Sequence, residues 1–280
     1  MSTLKYFVRN LILGIFAAIW LIPIVWLFPN SFSTDPGINI RRFIPQSFTS
    51  KNYSLLFFDS GDTVARFPDW FTNTLVIAIF TCIIASSFVL MVSYAISRMR
   101  FRGRKALMNV GVLLGLFPGF LSMIAVYFIM KSFGLTNNHW GLVLVYSGSA
   151  GLGYLIAKGF FDTIPETLSE AARVEGATEA QIFRKIILPL SKPIIVYTVI
   201  ASFLIPWMDF VMARIMLTSG LSKDWTVAIG LYNMLDRVLI NNYFARFCAG
   251  GVIVSIPISI LFIIMQRFYV EGITSGATKG

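Results

Sequence analysis

Glu170-Ala171-Ala172-Arg173-Val174-Glu175-Gly176, running on to Ile186-Ile187-Leu188-Pro189, is the stretch on which the reading of this chain turns. It is polar and dense in local signals, with long apolar runs on either side. Just upstream, Thr163-Ile164-Pro165-Glu166 reads as a helix start, with an N-cap threonine, a proline near the first turn and a glutamate three residues on. A short helix through about Glu175 should follow, and Gly176 is a natural left-handed stop. Thr178-Glu179-Ala180-Gln181 repeats the capping-box pattern and predicts a second helix to about Leu188, ended by Pro189. Ile182, Phe183, Ile186, Ile187 and Leu190 fall on one face of it, with Arg184 and Lys185 elsewhere. Residues 163–190 are thus two short helices about a glycine. Two readings stand side by side on physics alone. One is an amphipathic hairpin lying in a membrane interface. The other is a docking surface, where small residues admit a close neighbour and Glu170 adds an acid to a basic region.

The runs around it are long enough to cross a membrane. Six segments are free of charge, or in the fifth nearly so, over about the length that spans a ~30 Å hydrocarbon core at ~1.5 Å per residue. They lie near 11–28, 71–97, 106–130, 138–157, 193–210 and 247–266. Lys5 and Arg9 precede the first run, which is longer than a signal-peptide core and lacks a small-x-small cleavage site, so it reads as a retained span kinked at Pro23. The fifth is short between Lys192 and Asp209, a lysine that can snorkel and an acid that can reach the far interface. The expectation is an all-α polytopic protein, a single transmembrane domain over 1–280, with the hairpin at 163–190 between the fourth and fifth spans.

Charge supports this and orients it. Only 13% of the 280 residues are charged, 56% are hydrophobic, and the mean hydropathy is +0.76, against about 25% charged in a soluble domain. With both termini inside, the inner segments hold 14 of the 23 basic residues. The clearest evidence is the short loop Arg98-Met99-Arg100-Phe101-Arg102-Gly103-Arg104-Lys105, because short loops follow the positive-inside rule best. The net charge of +10 is therefore mostly topological, and nucleic acid is not an expected partner. Cys82 and Cys248 read as small buried apolar residues rather than a disulfide, and a lone histidine, His139, supports no metal site. Trp70, Trp140, Trp207 and Trp225 near span ends suggest an interfacial aromatic belt.

Two spans are interrupted, by Leu116-Phe117-Pro118-Gly119 and by Ser147-Gly148-Ser149-Ala150-Gly151-Leu152-Gly153. Small residues there serve close helix packing or mark unwound helices along a transport pathway. A neutral polar solute would need aromatic faces and hydrogen-bond groups. Ser147, Ser149, Tyr154, Tyr197, Ser202 and Asp209 are the candidates to line such a path, although each taken singly reads more readily as a packing or interfacial residue.

The spacing Glu-Ala-Ala, three residues, Gly, nine residues, Ile, one residue, Leu-Pro is filled at Glu170, Ala171, Ala172, Gly176, Ile186, Leu188 and Pro189. It resembles the signature loop of the membrane permeases of binding-protein-dependent ABC importers. The ending Gly272-Ile273-Thr274-Ser275-Gly276-Ala277-Thr278-Lys279-Gly280 is similar to that of the sugar-importer branch, MalG-type, with Ile273 and Thr278 as small departures. The resemblance implies that those seven residues form the ATPase-docking segment, with Glu170 pairing a basic residue of the ATPase and Gly176 supplying the bend. It implies that Thr274, Ser275, Gly276, Lys279 and Gly280 form a tail reaching between two ATPase subunits. It further implies a MalF-type second permease making a heterodimer, and an extracytoplasmic sugar-binding protein on the loop 209–246. The setting would be a bacterial or archaeal plasma membrane, and the cargo an oligosaccharide.

The chain has no G-x-x-x-x-G-K-[ST] loop, so it is expected to bind no nucleotide and to leave ATP and Mg²⁺ to partner ATPases. An ion-coupled secondary transporter is disfavoured, since its spans would carry midplane acids and these runs are nearly free of them. An intramembrane protease would need paired aspartates or a Ser/His pair within the spans, and the densely capped hairpin argues against a plain membrane anchor.

Overall fold

The computed structural model describes the backbone of residues 2–38, 42–59, 61–62, 64–149 and 153–277, and the side chains among them from residue 5 to residue 266. The helices are, in chain order, α1 (Ser2–Ser31), α2 (Lys51–Phe58), α3 (Phe67–Arg98), α4 (Arg104–Gly115), α5 (Gly119–Ser132), α6 (His139–Gly148), α7 (Gly153–Asp162), α8 (Glu166–Val174) and α9 (Glu179–Ile182). A π-helical segment, Phe183–Ile187, leads into α10 (Leu188–Leu190), α11 (Lys192–Met208), α12 (Val211–Met216), α13 (Val227–Met234) and α14 (Ile240–Ala277). Among the described residues the β pairing is one isolated bridge, Ser33 to Phe48. The fold is all-α.

Three helices are single apolar rods able to cross a bilayer: 5–31, 67–98 and 240–266. Three bent helix pairs are apolar enough to add up to three more crossings, if each pair makes one span. The span expected over 106–130, with its interruption at Leu116–Gly119, is made of α4 and α5, which meet at 106° there. Leu116 closes α4 onto Val112 O, and Pro118, lacking an N–H, starts α5 afresh. The two have 12 and 14 residues. Each is therefore roughly 20 Å long and shorter than the hydrocarbon core. The second interruption flanks residues 150–152, which lie outside the described residues. The fifth expected span matches α11, but it is preceded by an 87° turn at Ser191.

The chain forms two compact units, one of residues 1–70 and 229–257, the other of residues 71–228 and 258–280. In the first, α1 exposes apolar side chains on all sides, as a lipid-facing rod does, with Trp20 at 78%. Its end is tied down: Trp26 meets Phe244 at 5.7 Å, and Asn52 Nδ2 donates to Ser31 O and Ser33 O. Arg246 closes the extramembrane segment by pairing with Asp62 at 2.7 Å. Trp70 lies so close to Gly230 that a Cβ there would sit 2.1 Å from the indole ring.

In the second unit, one apolar core joins α3 (Val89, Leu90, Tyr94), α7 (Ala157, Phe161), Ile164, the hairpin (Ala172, Ile182, Ile187) and α11 (Ile194). Polar bonds reinforce it along α3. Ser93 donates to Tyr154 O, Ser97 to Asp162, and Arg98 Nη2 to Phe161 O and Ile164 O at 2.5 Å each. At the other end of α3, Asn73 holds Lys223 O and Trp225 O. The expected tryptophan belt is corrected here. Trp70, Trp207 and Trp225 are buried, and Trp140 alone of the four is exposed, at 52%. The rings fill space against aromatic and small neighbours, as Trp207 does against Phe71 at 5.4 Å.

Candidate functional site

The hairpin of α8 and α9 is built by local chemistry and then locked to two other helices. Pro165 takes the N-cap position of α8 and offers no side-chain acceptor. Thr163, expected to cap, instead donates its hydroxyl to Phe160 O at 2.7 Å. The other end of α8 closes as a Schellman motif, with Ala177 N–H on Ala172 O and Gly176 N–H on Arg173 O. That closure needs a left-handed residue, and Gly176 has φ +85°. Thr178 then starts α9 with the reciprocal capping box foreseen from sequence, Gln181 N–H on Thr178 Oγ1 and Thr178 N–H on Gln181 Oε1.

Pro189 does not end the second helix, contrary to expectation. The helix loosens one turn earlier, where Leu188 N–H reaches Phe183 O across a π turn. This widening relieves the clash that a proline imposes on the preceding turn. The helix continues to Leu190, and the stop falls at Ser191, whose hydroxyl donates to Ile187 O at 2.6 Å. Within the expected apolar stripe, Ile182 and Ile187 are fully buried and Phe183 and Ile186 pack on the core. Leu190 departs from it, 50% exposed beyond the turn.

A charged contact missed by the sequence reading ties the hairpin together. Arg173 Nε on α8 donates to Glu179 Oε1 at 2.6 Å, and the Tyr94 hydroxyl on α3 donates to Glu179 Oε2 at 2.6 Å. The Tyr94 ring also meets Phe183 at 4.8 Å. The Arg173 hydrogen bond holds the Glu179 carboxyl below the usual range, against partial burial, with the Tyr94 hydroxyl adding to the effect. The acid at the head of α9 reads locally as complementing the helix dipole. Nothing in the sequence announces a tyrosine partner 85 residues away.

The expected docking residues divide between two faces. Glu170 and Ala171 are exposed, with Leu168 and Val174 beside them at 43% and 90%. Ala172 and Ser169 turn into the core, so the smallness of Ala172 serves packing within the chain. Ile186 and Leu188 pack against the same core, while Pro189 is exposed. Thr274, Ser275 and Gly276 are in the last turns of α14, and Lys279 and Gly280 fall outside the described residues.

Of the candidate pathway residues, Ser147 and Tyr154 come together. They line a cleft of about 410 Å³ with Ile84, Phe88, Val89, Val92, Leu144 and Gly148. Ser147 is buried, and its hydroxyl has no partner. Ser149 is exposed and its hydroxyl is bonded back to Val145 O. Tyr197 packs on the hairpin core and Ser202 is buried. Asp209 is occupied structurally: it accepts from Met212 N–H, Ala213 N–H and the buried Tyr146 hydroxyl.

An all-α membrane protein with broken spans, and with a glycine-bent polar hairpin fastened to two of its helices, belongs to the class of transporter permeases. Residues 90–274 match the family described as the inner membrane component of binding-protein-dependent transport systems. The chain belongs to that family, as a MalG-type permease subunit of an ABC importer and not an enzyme. It is 34% identical over 271 residues to the galactooligosaccharides transport system permease protein GanQ of Bacillus subtilis (strain 168), covering 96% of this chain and 94% of that one. It is 34% identical over 230 residues to the maltose/maltodextrin transport system permease protein MalG of Yersinia pestis, covering 79% and 75%. A bacterial ABC transporter involved in the import of the acidic polysaccharide alginate shares the fold, with a TM-score of 0.78 at 24% identity over 95% of this chain and 97% of that one. This is a multi-pass protein of the plasma membrane, working with a binding protein.

Proposed function

We propose that this chain is a single transmembrane domain forming half of the pathway of an ATP-driven oligosaccharide importer, with both termini in the cytoplasm. A MalF-type permease supplies the other half, two ATPase subunits consume ATP and Mg²⁺, and an extracytoplasmic binding protein delivers the sugar. The carrying observation is the α8 surface. It exposes Glu170, Ala171 and Val174 on a hairpin wired to α3 by Glu179 and to α11 by the turn at Ser191. An ATPase seated on α8 would move both helices with it, a rigid-body route to alternating access. The tail from Thr274 would extend the same contact. The cleft at Ser147 and Tyr154 is the pathway segment, with the Tyr154 ring to meet a neutral sugar. Relatives named for galactooligosaccharides and maltodextrin support an oligosaccharide cargo.

The test is reconstitution. Vesicles holding this chain, its partner permease and the ATPases should accumulate labelled oligosaccharide only when ATP, Mg²⁺ and the binding protein are all present. Accumulation driven by a proton gradient without the ATPases would overturn the reading.

A further inference from the structure

Arg98, Arg100 and Arg104 converge on a polar cleft of about 440 Å³ whose other wall is the start of the docking hairpin, Thr163 to Glu166. Arg98 is 7% exposed. Its Nη2 is spent on two backbone carbonyls, and its Nε has no partner. No carboxylate among the described residues pairs with it. Its positive charge is therefore set in the cleft wall without a counter-ion. Of the two acids in the wall, Asp162 is engaged by Lys158 at 2.5 Å and by Ser97 at 2.6 Å and also feels the Arg104 charge, which leaves Glu166, exposed at the rim. Two helices also begin at this wall. α4 has Gly103 and α8 has Pro165 at the N-cap, and neither offers a side-chain acceptor to the first-turn N–H groups. Guanidinium groups in excess of free carboxylate, beside two helix starts without side-chain caps, are the kind of groups that bind a phosphate.

We propose that this cleft holds the phosphate of an anionic phospholipid headgroup. The surroundings favour a lipid over free phosphate. Met99 and Phe101, 40% and 43% exposed, alternate with Arg100 and Arg102, so apolar side chains enter the interface while the cations stay at headgroup level. From Arg104 onward, α4 exposes Leu107, Val110 and Leu114 on one stripe, a track for an acyl chain.

The test uses the full-length chain in the importer complex it purifies with, placed in nanodiscs of phosphatidylcholine doped with phosphatidylglycerol. Bound lipid is counted by native mass spectrometry. Arg98 is left intact because it is buried. Replacing Arg100 and Arg104 together by glutamine should weaken phosphatidylglycerol retention roughly fivefold per arginine. Glu166→Gln, which removes the free carboxylate, should strengthen it. A second arm uses pure phosphatidylcholine nanodiscs with inorganic phosphate, and reads protection of Arg100 and Arg104 from a guanidinium-modifying dicarbonyl. Equal phosphatidylglycerol retention in wild type and double variant overturns the site. Protection by inorganic phosphate equal to that by the lipid overturns the lipid assignment. Neither readout depends on transport or on which face is cytoplasmic.

Discussion

Glu179 accepts one hydrogen bond from Arg173 and one from Tyr94, and each donor sits on a different helix. Its carboxyl is held below its ordinary range, so the ionised form is the one that folding favours. The contact therefore stabilises the protein above the unfolded-state pKa, and that contribution is lost as pH falls through the lower folded-state value. Both partners are about one-third exposed, 33% and 37%, so solvent screens the pair. Glu179→Gln should cost only about 1 kcal/mol at about pH 7. Thermal melts of wild type and variant should converge on acidification toward about pH 3. A gap that stays constant with pH would mean that the carboxylate charge is not what stabilises the contact. None of this was legible in advance. Arg173 and Glu179 were visible as charges near a turn, but Tyr94 reads in sequence as one more apolar-run residue of α3.

The α8–α9 turn was the most legible element, because capping and turn chemistry depend on neighbours a few residues apart. Gly176 and the Thr178 capping box follow from local rules, and both are present. The errors have the same origin. Pro189 was read as a stop by a rule that assumes α geometry, and the π turn from Phe183 to Ile187 suspends that rule. Nothing lies within 4 Å of where a Cβ on Gly176 would be, so a side chain there meets no neighbour and only the backbone resists. Gly176→Val should therefore cost about 1–2 kcal/mol in left-handed strain. Gly176→Asn should be tolerated better, since asparagine visits that region more readily. ATPase stimulation by substrate-loaded binding protein should rank Gly, then Asn, then Val. If Asn and Val are equally impaired, backbone conformation is not the cause.

Across the whole molecule, composition and charge sufficed for the helical membrane class, while the broken spans did not emerge from hydropathy. A window average over 106–130 sees one apolar run, yet Pro118 turns the chain by 106° within it. Assembly adds a prediction at this scale. Glu170 is exposed and makes no ion pair among the described residues, so Glu170→Lys should leave the chain's own stability within about 0.5 kcal/mol. The same change should reduce co-purification of the ATPase and uncouple transport. Unchanged co-purification with normal uptake would remove Glu170 from the interface. The right-angled turn at Ser191 has a mechanical consequence. Glu179–Leu190 and Lys192–Met208 form the two arms of a bell crank, set at 87°. With 12 and 17 residues, the arms measure about 18 Å and about 26 Å. Turned rigidly about Ser191, a push of about 2 Å at the short arm's tip sweeps the far end of the long arm through nearly 3 Å, a gain of about 1.4. A crank of this shape would turn a small sideways shove on its short arm into a larger lateral swing at the far end of its long arm.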